Sequence, residues 1–237
     1  MDALPVARAL VHRVALHSRS DALQHRHLLS ADERARAGRF ERTSDHDAYV
    51  ITRTTLRRVL AHHLNTRADA IEIVHGPHDK PLLRAGESNE LYFNVSHSDG
   101  LALIAVADLP VGIDLEPRRA VADLTALAAQ NFSAEEIAML RAASTHERNE
   151  LFLRCWTRKE AFTKATGDGI SSHLDRFAVS LDLEEPALLH LRHRASERPG
   201  DYSFAHLDPA PGYVGALVAV APGLRWRYAL SDDEALP

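Results

Sequence analysis

The stretch Phe93-Asn-Val-Ser-His-Ser-Asp-Gly-Leu-Ala-Leu-Ile-Ala-Val-Ala107 places a polar segment, 96–100, between two apolar runs, 91–95 and 101–107. Asp99-Gly100 at that junction favours a tight turn, so the stretch reads as a β-hairpin. A second copy of the pattern lies about half a chain later: Phe204, then Pro211-Gly-Tyr-Val-Gly-Ala-Leu-Val-Ala-Val-Ala221. Self-similarity at that distance suggests two related α+β halves. A cleft between two small halves is a usual place for a ligand.

Outward from the hairpin, elements follow in both directions. A helical pattern covers 30–64: Ser30 and Glu33 have the form of a capping box, and Leu56, Val59, Leu60 and His63 recur at helical spacing. A strand is expected near 71–75, before a Gly76-Pro77 turn. Another covers 111–116 and ends at Pro117, which cannot continue a ladder. Ser133 caps a helix running towards Ala143, and a longer helix over 147–166 stops at Gly167-Asp168-Gly169. Strand-like segments follow at 177–183, 188–192, 202–205, 214–220 and 226–229.

The chain has 237 residues, enough for one large domain or two small ones, and its 45% hydrophobic and 26% charged residues describe a folded globular protein. A net charge of -5 argues against a general nucleic-acid binder. The longest apolar stretches are too short to span a bilayer, so no membrane contact is expected. The opening residues do not read as a signal peptide, so none is expected. The single cysteine, Cys155, excludes an internal disulfide framework and a cysteine-rich zinc site. A cytoplasmic location is the natural expectation. Between residues 34 and 58 the chain carries seven arginines (34, 36, 39, 42, 53, 57 and 58). They read either as a solvated helical face or as an anion-binding surface, because guanidinium forks match phosphate.

Two segments carry the chemistry. Asp114 and Glu116 stand at i and i+2 on a strand, so both carboxylates leave one face while Ile113 and Leu115 leave the other. Alone, the pair reads first as a wet strand face, with a hard-cation site as the alternative. In Trp156-Thr-Arg-Lys-Glu-Ala-Phe-Thr-Lys164, residues Trp156, Glu160 and Lys164 line one side of a helix. A surface Glu–Lys pair is the plain reading, yet Phe152, Trp156 and Phe162 set this helix against a core. Three carboxylates without cysteine or paired histidine suit Mg²⁺, which prefers oxygen and completes its shell with water and substrate phosphates. Lys159, Lys164 and the arginine-rich helix would then face phosphates. That combination predicts a phosphate-bearing substrate and phosphoryl-type transfer. Ser96 and His97 invite a hydrolase reading, but adjacent residues on a strand point to opposite faces and no GxSxG elbow is present. A histidine at a loop mouth, bonded to phosphate or merely structural, is the simpler assignment.

Phe93–Ser98, Gly112–Glu116 and Trp156–Gly169, in that order, resemble the three motifs of the Sfp-type 4′-phosphopantetheinyl transferases over roughly residues 30–180. The resemblance implies a pseudo-twofold α+β monomer with its active site between the halves. Residues 1–110 would form the half holding the phosphates of coenzyme A. Residues 111–230 would supply the metal carboxylates and catalytic helix, and 231–237 would be a polar tail. It implies transfer of the phosphopantetheine arm of coenzyme A to a serine of an acyl- or peptidyl-carrier protein, with Mg²⁺ bound by Asp114, Glu116 and Glu160. Glu160 would also be the base and Lys164 the group that neutralises the leaving 3′,5′-ADP. Ser96, His97, Lys80 and Pro81 match coenzyme-binding positions, and Arg53 is the chosen arginine of the first long helix, with Arg57 or Arg58 as substitutes. Asp79 stands where the family has glycine. Leu124, Leu127, Phe132 and Met139 occupy the region that meets the carrier in this family, and core packing explains them equally well. A non-catalytic relative that binds coenzyme A or a carrier is the competing function. A Mg²⁺-dependent nucleotide hydrolase is a third.

Overall fold

The computed structural model describes residues 6–84, 91–169, 174–191 and 198–229. Its first unit begins with strand β1 (Val6–Ala15) and the short helices α1 (Arg19–His25) and α2 (Ala31–Ala37). The 22-residue helix α3 (Thr43–Leu64) follows, then a small antiparallel pair, β2 (Ile73–His75) and β3 (Pro81–Leu83), and the hairpin β4 (Tyr92–Ser98) and β5 (Leu101–Ala107). The second unit repeats that order. Strand β6 (Val111–Pro117) leads to α4 (Leu124–Asn131), α5 (Ala134–Ala142) and the 22-residue α6 (Thr145–Thr166). After it come the pair β7 (Phe177–Val179) and β8 (Leu188–Leu191), then β9 (Ser203–Leu207) and β10 (Tyr213–Ala219). In one sheet β5 lies between β1 and β4; in the other β10 lies between β6 and β9. The echo read in the sequence is therefore a repeat of connectivity as well as of apolar strands.

Those strands are apolar throughout because both of their faces are covered. Ala102, Ile104 and Val106 of β5 pack with Val50, Leu56, Val59 and Leu60 of α3, while Leu101, Leu103, Ala105 and Ala107 meet Ile113, Leu115, Leu207 and Leu217 of the other sheet. In β10, Val214, Ala216 and Val218 pack with Phe162 and Ala165 of α6, and Leu217 joins the core between the sheets. Asp99 and Gly100 turn the first hairpin at φ 43° and 91°, the left-handed pair that such turns require. A Cβ on Gly100 would lie 2.0 Å from the His17 ring, so glycine is needed there for space as well.

Three features depart from the sequence expectations. The pattern read as one helix over 30–64 is two: Ser30 and Glu33 do form a capping box, but α2 stops at Gly38 and helix restarts at Thr43. Strand β1 was not anticipated, because its buried face is made of alanines, Ala7 and Ala9, beside Val11, a weak apolar signal. The last strand, β11 (Gly223–Tyr228), falls within the expected second half yet pairs parallel with β1 and completes the first unit's sheet. The tail at 231–237 lies outside the described residues. No helix among the described residues is long and apolar enough to cross a membrane.

Candidate active site

Strand β6 alternates as its sequence predicts. Val111, Ile113 and Leu115 enter the core between the sheets, which turns Gly112, Asp114 and Glu116 towards α6. Gly112 sets the distance: a Cβ there would sit 2.0 Å from the Ala161 carbonyl oxygen and 2.3 Å from the Ala165 nitrogen. The α6 backbone therefore lies directly on β6 and carries Glu160 and Lys164 to the two strand carboxylates. From the other unit, β4 presents Asn94, Ser96 and Ser98 at alternate positions. Asn94 Oδ1 accepts from the Ile113 amide at 2.9 Å, Ser96 Oγ donates to Asp114 Oδ1 at 2.8 Å, and Ser98 Oγ donates to Glu116 Oε2 at 3.3 Å. Lys164 Nζ donates to the same Asp114 Oδ1 at 2.7 Å and approaches Ser96 Oγ at 3.2 Å.

The carboxylates are crowded and only partly neutralised. Asp114 and Glu160 are 5% and 4% exposed. Burial pushes the Glu160 acid up from 4.5 to about 7; the Asp114 charge adds to this, Lys164 opposes it, and Glu116 raises it further. Glu116 is raised too, by burial and then by Asp114. Asp114 Oδ2 and Glu160 Oε1 are buried without a hydrogen-bond partner among the described residues. Two orphaned anionic oxygens at one place are costly unless a cation or donor meets them. The donors are all carboxylate oxygen, which fits Mg²⁺. Among the described residues no three His, Cys, Asp or Glu side chains close into a ready-made metal cage. Water and substrate phosphates, which commonly fill the shell of Mg²⁺, would have to complete such a site.

Two cavities flank this cluster. One, about 820 Å³, is lined by Arg36, Tyr49, Arg53, His75, Pro81 and His97. The other, about 510 Å³, lies between the units against Lys80, Pro81, Asn94, Lys164 and Gly167. His97 keeps solvent contact at the first cavity, and enclosure followed by the Lys164 charge holds its ring below the ordinary histidine range. It faces away from Ser96, whose hydroxyl is engaged by Asp114, so no serine–histidine pair forms. A third groove, about 480 Å³ beside Arg8, Leu10, Arg225 and Arg227, takes no lining residue from β4, β6 or α6.

Residues 17–108 match the N-terminal domain of 4′-phosphopantetheinyl transferases, and 110–218 match the 4′-phosphopantetheinyl transferase superfamily. The 4′-phosphopantetheinyl transferase HetI of Nostoc sp. is 38% identical over 202 residues, 84% of this chain and 81% of the relative. The chain belongs to the 4′-phosphopantetheinyl transferases. The transferase psf-1 of Bacillus pumilus is 32% identical over 194 residues, 82% of this chain and 81% of its own. For the transferase Sfp of Bacillus subtilis the identity is 26% over 197 residues, 82% and 83%. The two family matches meet between 108 and 110, in the link from β5 to β6 that separates the repeated units.

In this transferase the expected residues do not all reach the cleft. Asp114, Glu116, Glu160, Lys164 and Ser96 converge, with His97 on the opposite face of β4. Arg53 lines the larger cavity, and its guanidinium already grips Glu33, with Nε 2.9 Å from Oε1. Burial would raise the Glu33 acid, but Arg53, the Ser30 amide and Arg57 together hold it below the usual range. Arg57, one of the two substitutes for Arg53, is buried and donates to Glu33 and to the Ala68 and Ile71 carbonyls, which removes it from the cleft. Lys80 rims the smaller cavity, but its ammonium caps α6 by donating to the Lys164 carbonyl at 2.5 Å and the Ala165 carbonyl at 3.3 Å. Beside it Asp79 takes φ 61°, the left-handed conformation that glycine adopts freely.

Lys159 must be corrected. It is 0% exposed, ion-paired with Glu136 at 2.9 Å, and its ammonium donates to the Leu174 and Phe177 carbonyls. Neighbouring residues on a helix diverge by about 100°, so the turn that brings Glu160 to β6 sends Lys159 into the core. Phe132 likewise is core, 2% exposed with its ring 5.0 Å from Phe152. Leu124, Leu127 and Met139 pack half-buried against that core. Sequence reasoning missed Gly112, Asn94 and Ser98. The polar alternation Asn94-x-Ser96-x-Ser98 was the available signal for the last two.

Proposed function

We propose that this transferase works with Mg²⁺ held by Asp114, Glu116 and Glu160 together with the coenzyme A pyrophosphate, in a monomer acting in the cytoplasm. The reaction is that of its family: the 4′-phosphopantetheine arm of coenzyme A passes to a serine of an acyl- or peptidyl-carrier protein, releasing 3′,5′-ADP. What supports the metal reading above all is the pair of orphaned buried oxygens, Asp114 Oδ2 and Glu160 Oε1. Bound Mg²⁺ supplies positive charge to the pyrophosphate as the P–O bond breaks. The chain's own groups do the rest. Glu160 takes the proton of the carrier serine as its oxygen attacks phosphorus, the role of a general base. Lys164 Nζ offsets the charge growing on the departing ADP oxygen. Arg53 and His97 line the cavity we assign to the coenzyme's phosphates. Because both units of one chain build the site, no second copy is required to complete it.

Incubation of an apo carrier with coenzyme A and Mg²⁺ is expected to give a carrier heavier by one phosphopantetheine, and chelation of the metal to abolish the gain. Coenzyme A binding without a mass change across several carrier types would favour the non-catalytic reading. Release of phosphopantetheine without an acceptor would favour the hydrolase.

The Glu160 acid stands at about 7 in the fold against 4.5 when unperturbed, so metal must displace its proton below pH 7. Mg²⁺ added to metal-free protein is therefore expected to raise the unfolding midpoint more at pH 8 than at pH 6. Equal increments, read by calorimetry at both pH values, would remove Glu160 from the metal.

A further inference from the structure

The repeat extends to a buried ion-pair anchor, and its second copy gives Lys159 a role. Glu33 is the third residue of α2 and Glu136 the third of α5; each closes a capping box with a serine, Ser30 or Ser133. Arg57 and Lys159 are both the fifteenth residue of their 22-residue helices. Arg57 Nε meets Glu33 Oε2 at 2.6 Å, and Lys159 Nζ meets Glu136 Oε2 at 2.9 Å. Each cation then donates to two carbonyls of the stretch that leads from its helix into the next strand pair: Ala68 and Ile71 for Arg57, Leu174 and Phe177 for Lys159. Glu136 Oε1 also accepts from the Val179 amide at 2.8 Å, tying β7 into the same knot.

We propose that Lys159 is a positioning residue: clamped between Glu136 and the 174–177 carbonyls, it fixes the rotation of α6 that delivers Glu160 and Lys164 to Asp114, as Arg57 with Glu33 fixes α3. The clamp lies on the flank of α6 away from the cleft, and Gly112 leaves no spacer on the β6 side. The rotation of α6 is therefore held from both flanks, with Glu160 one residue from the clamp. The proposal rests on Glu160 acting in the transfer reaction.

The test compares wild type with Lys159→Met and with Lys159→Met/Glu136→Gln, in which the clamp has lost both charges. In the single variant Glu136 is left buried without its cation. Its unfolding midpoint is expected to fall by about 10 °C, the loss typical of breaking one member of a buried pair in a chain of this size. At a temperature where it stays folded, kcat is expected to fall about tenfold while KM for coenzyme A stays within about twofold, because the lost contact touches no substrate. The double variant, with no buried charge left unpaired, is expected to recover most of the stability, while kcat stays low because the clamp is still missing. A KM for coenzyme A raised tenfold in both variants, or coenzyme A binding lost from both by calorimetry, would make Lys159 a substrate ligand and overturn the proposal. A lowered midpoint with kcat and KM unchanged would reduce the clamp to stability alone and overturn it equally. Should the single variant fail to fold, the double variant decides between the same outcomes. Wild-type activity, measured in parallel, reports on the proposed function separately.

Discussion

Replacing Glu160 by glutamine is expected to lower kcat for carrier modification by about 10³-fold, within the range that a positioned base contributes. Glutamine keeps the shape and loses both the proton acceptor and one anionic oxygen, so the protein should fold while the reaction fails. Stability is expected to move the opposite way. The folded acid is raised to about 7 from 4.5, so its contribution to stability is complete below pH 4.5 and is lost as pH rises through 7. Above pH 7 the metal-free enzyme buries a carboxylate that glutamine would not, a difference of up to about 3 kcal/mol. Metal-free Glu160→Gln should therefore melt higher than wild type at pH 8 and about equally at pH 4.5. A variant both active and unaltered in its pH–stability profile would place Glu160 outside the cluster.

Gly112→Ala is expected to damage stability and activity together. The added Cβ would lie 2.0 Å from the Ala161 carbonyl oxygen and 2.9 Å from the Lys164 carbonyl carbon, both backbone atoms that no rotamer change can move. Helix α6 must shift, at a cost of about 3 kcal/mol, the upper range for overpacking. For a chain of this size that is a fall of about 10 °C in the unfolding midpoint. The shift also draws Glu160 and Lys164 away from Asp114, and kcat depends on sub-ångström placement. Activity is expected to drop at least tenfold even where the variant is fully folded. Calorimetry beside steady-state kinetics checks both, and full activity at a normal midpoint would show that the helix does not rest on Gly112.

The hairpin, its echo, the helix starts at Ser30 and Ser133 and the end of α6 were readable because each carries a local signal. Asp99-Gly100 demands a turn, Ser30-x-x-Glu33 and Ser133-x-x-Glu136 demand helix starts, and Gly167 ends α6 at φ 79°. The carboxylate pair was legible for the same reason, since alternation along β6 puts Asp114 and Glu116 on one face. Long-range partners were not. Nothing local to β11 says that it will pair with β1 rather than with its own unit. Nothing near Lys159 says that its ammonium will find Glu136, a partner more than twenty residues back, instead of a phosphate. A lysine in a charged helical segment looks the same from the sequence in either role. Only the packing of α6 on Gly112, a contact between strand and helix, decides which way each side chain turns.

The most direct test of the metal cluster is a crystal of the enzyme grown with coenzyme A and Mn²⁺ in place of Mg²⁺, read by anomalous scattering. One peak is expected about 2.2 Å from carboxylate oxygens of Asp114, Glu116 and Glu160, with the pyrophosphate completing its shell. A peak bound elsewhere on the chain, or one that leaves Glu160 uncoordinated beside an occupied coenzyme, would contradict the account.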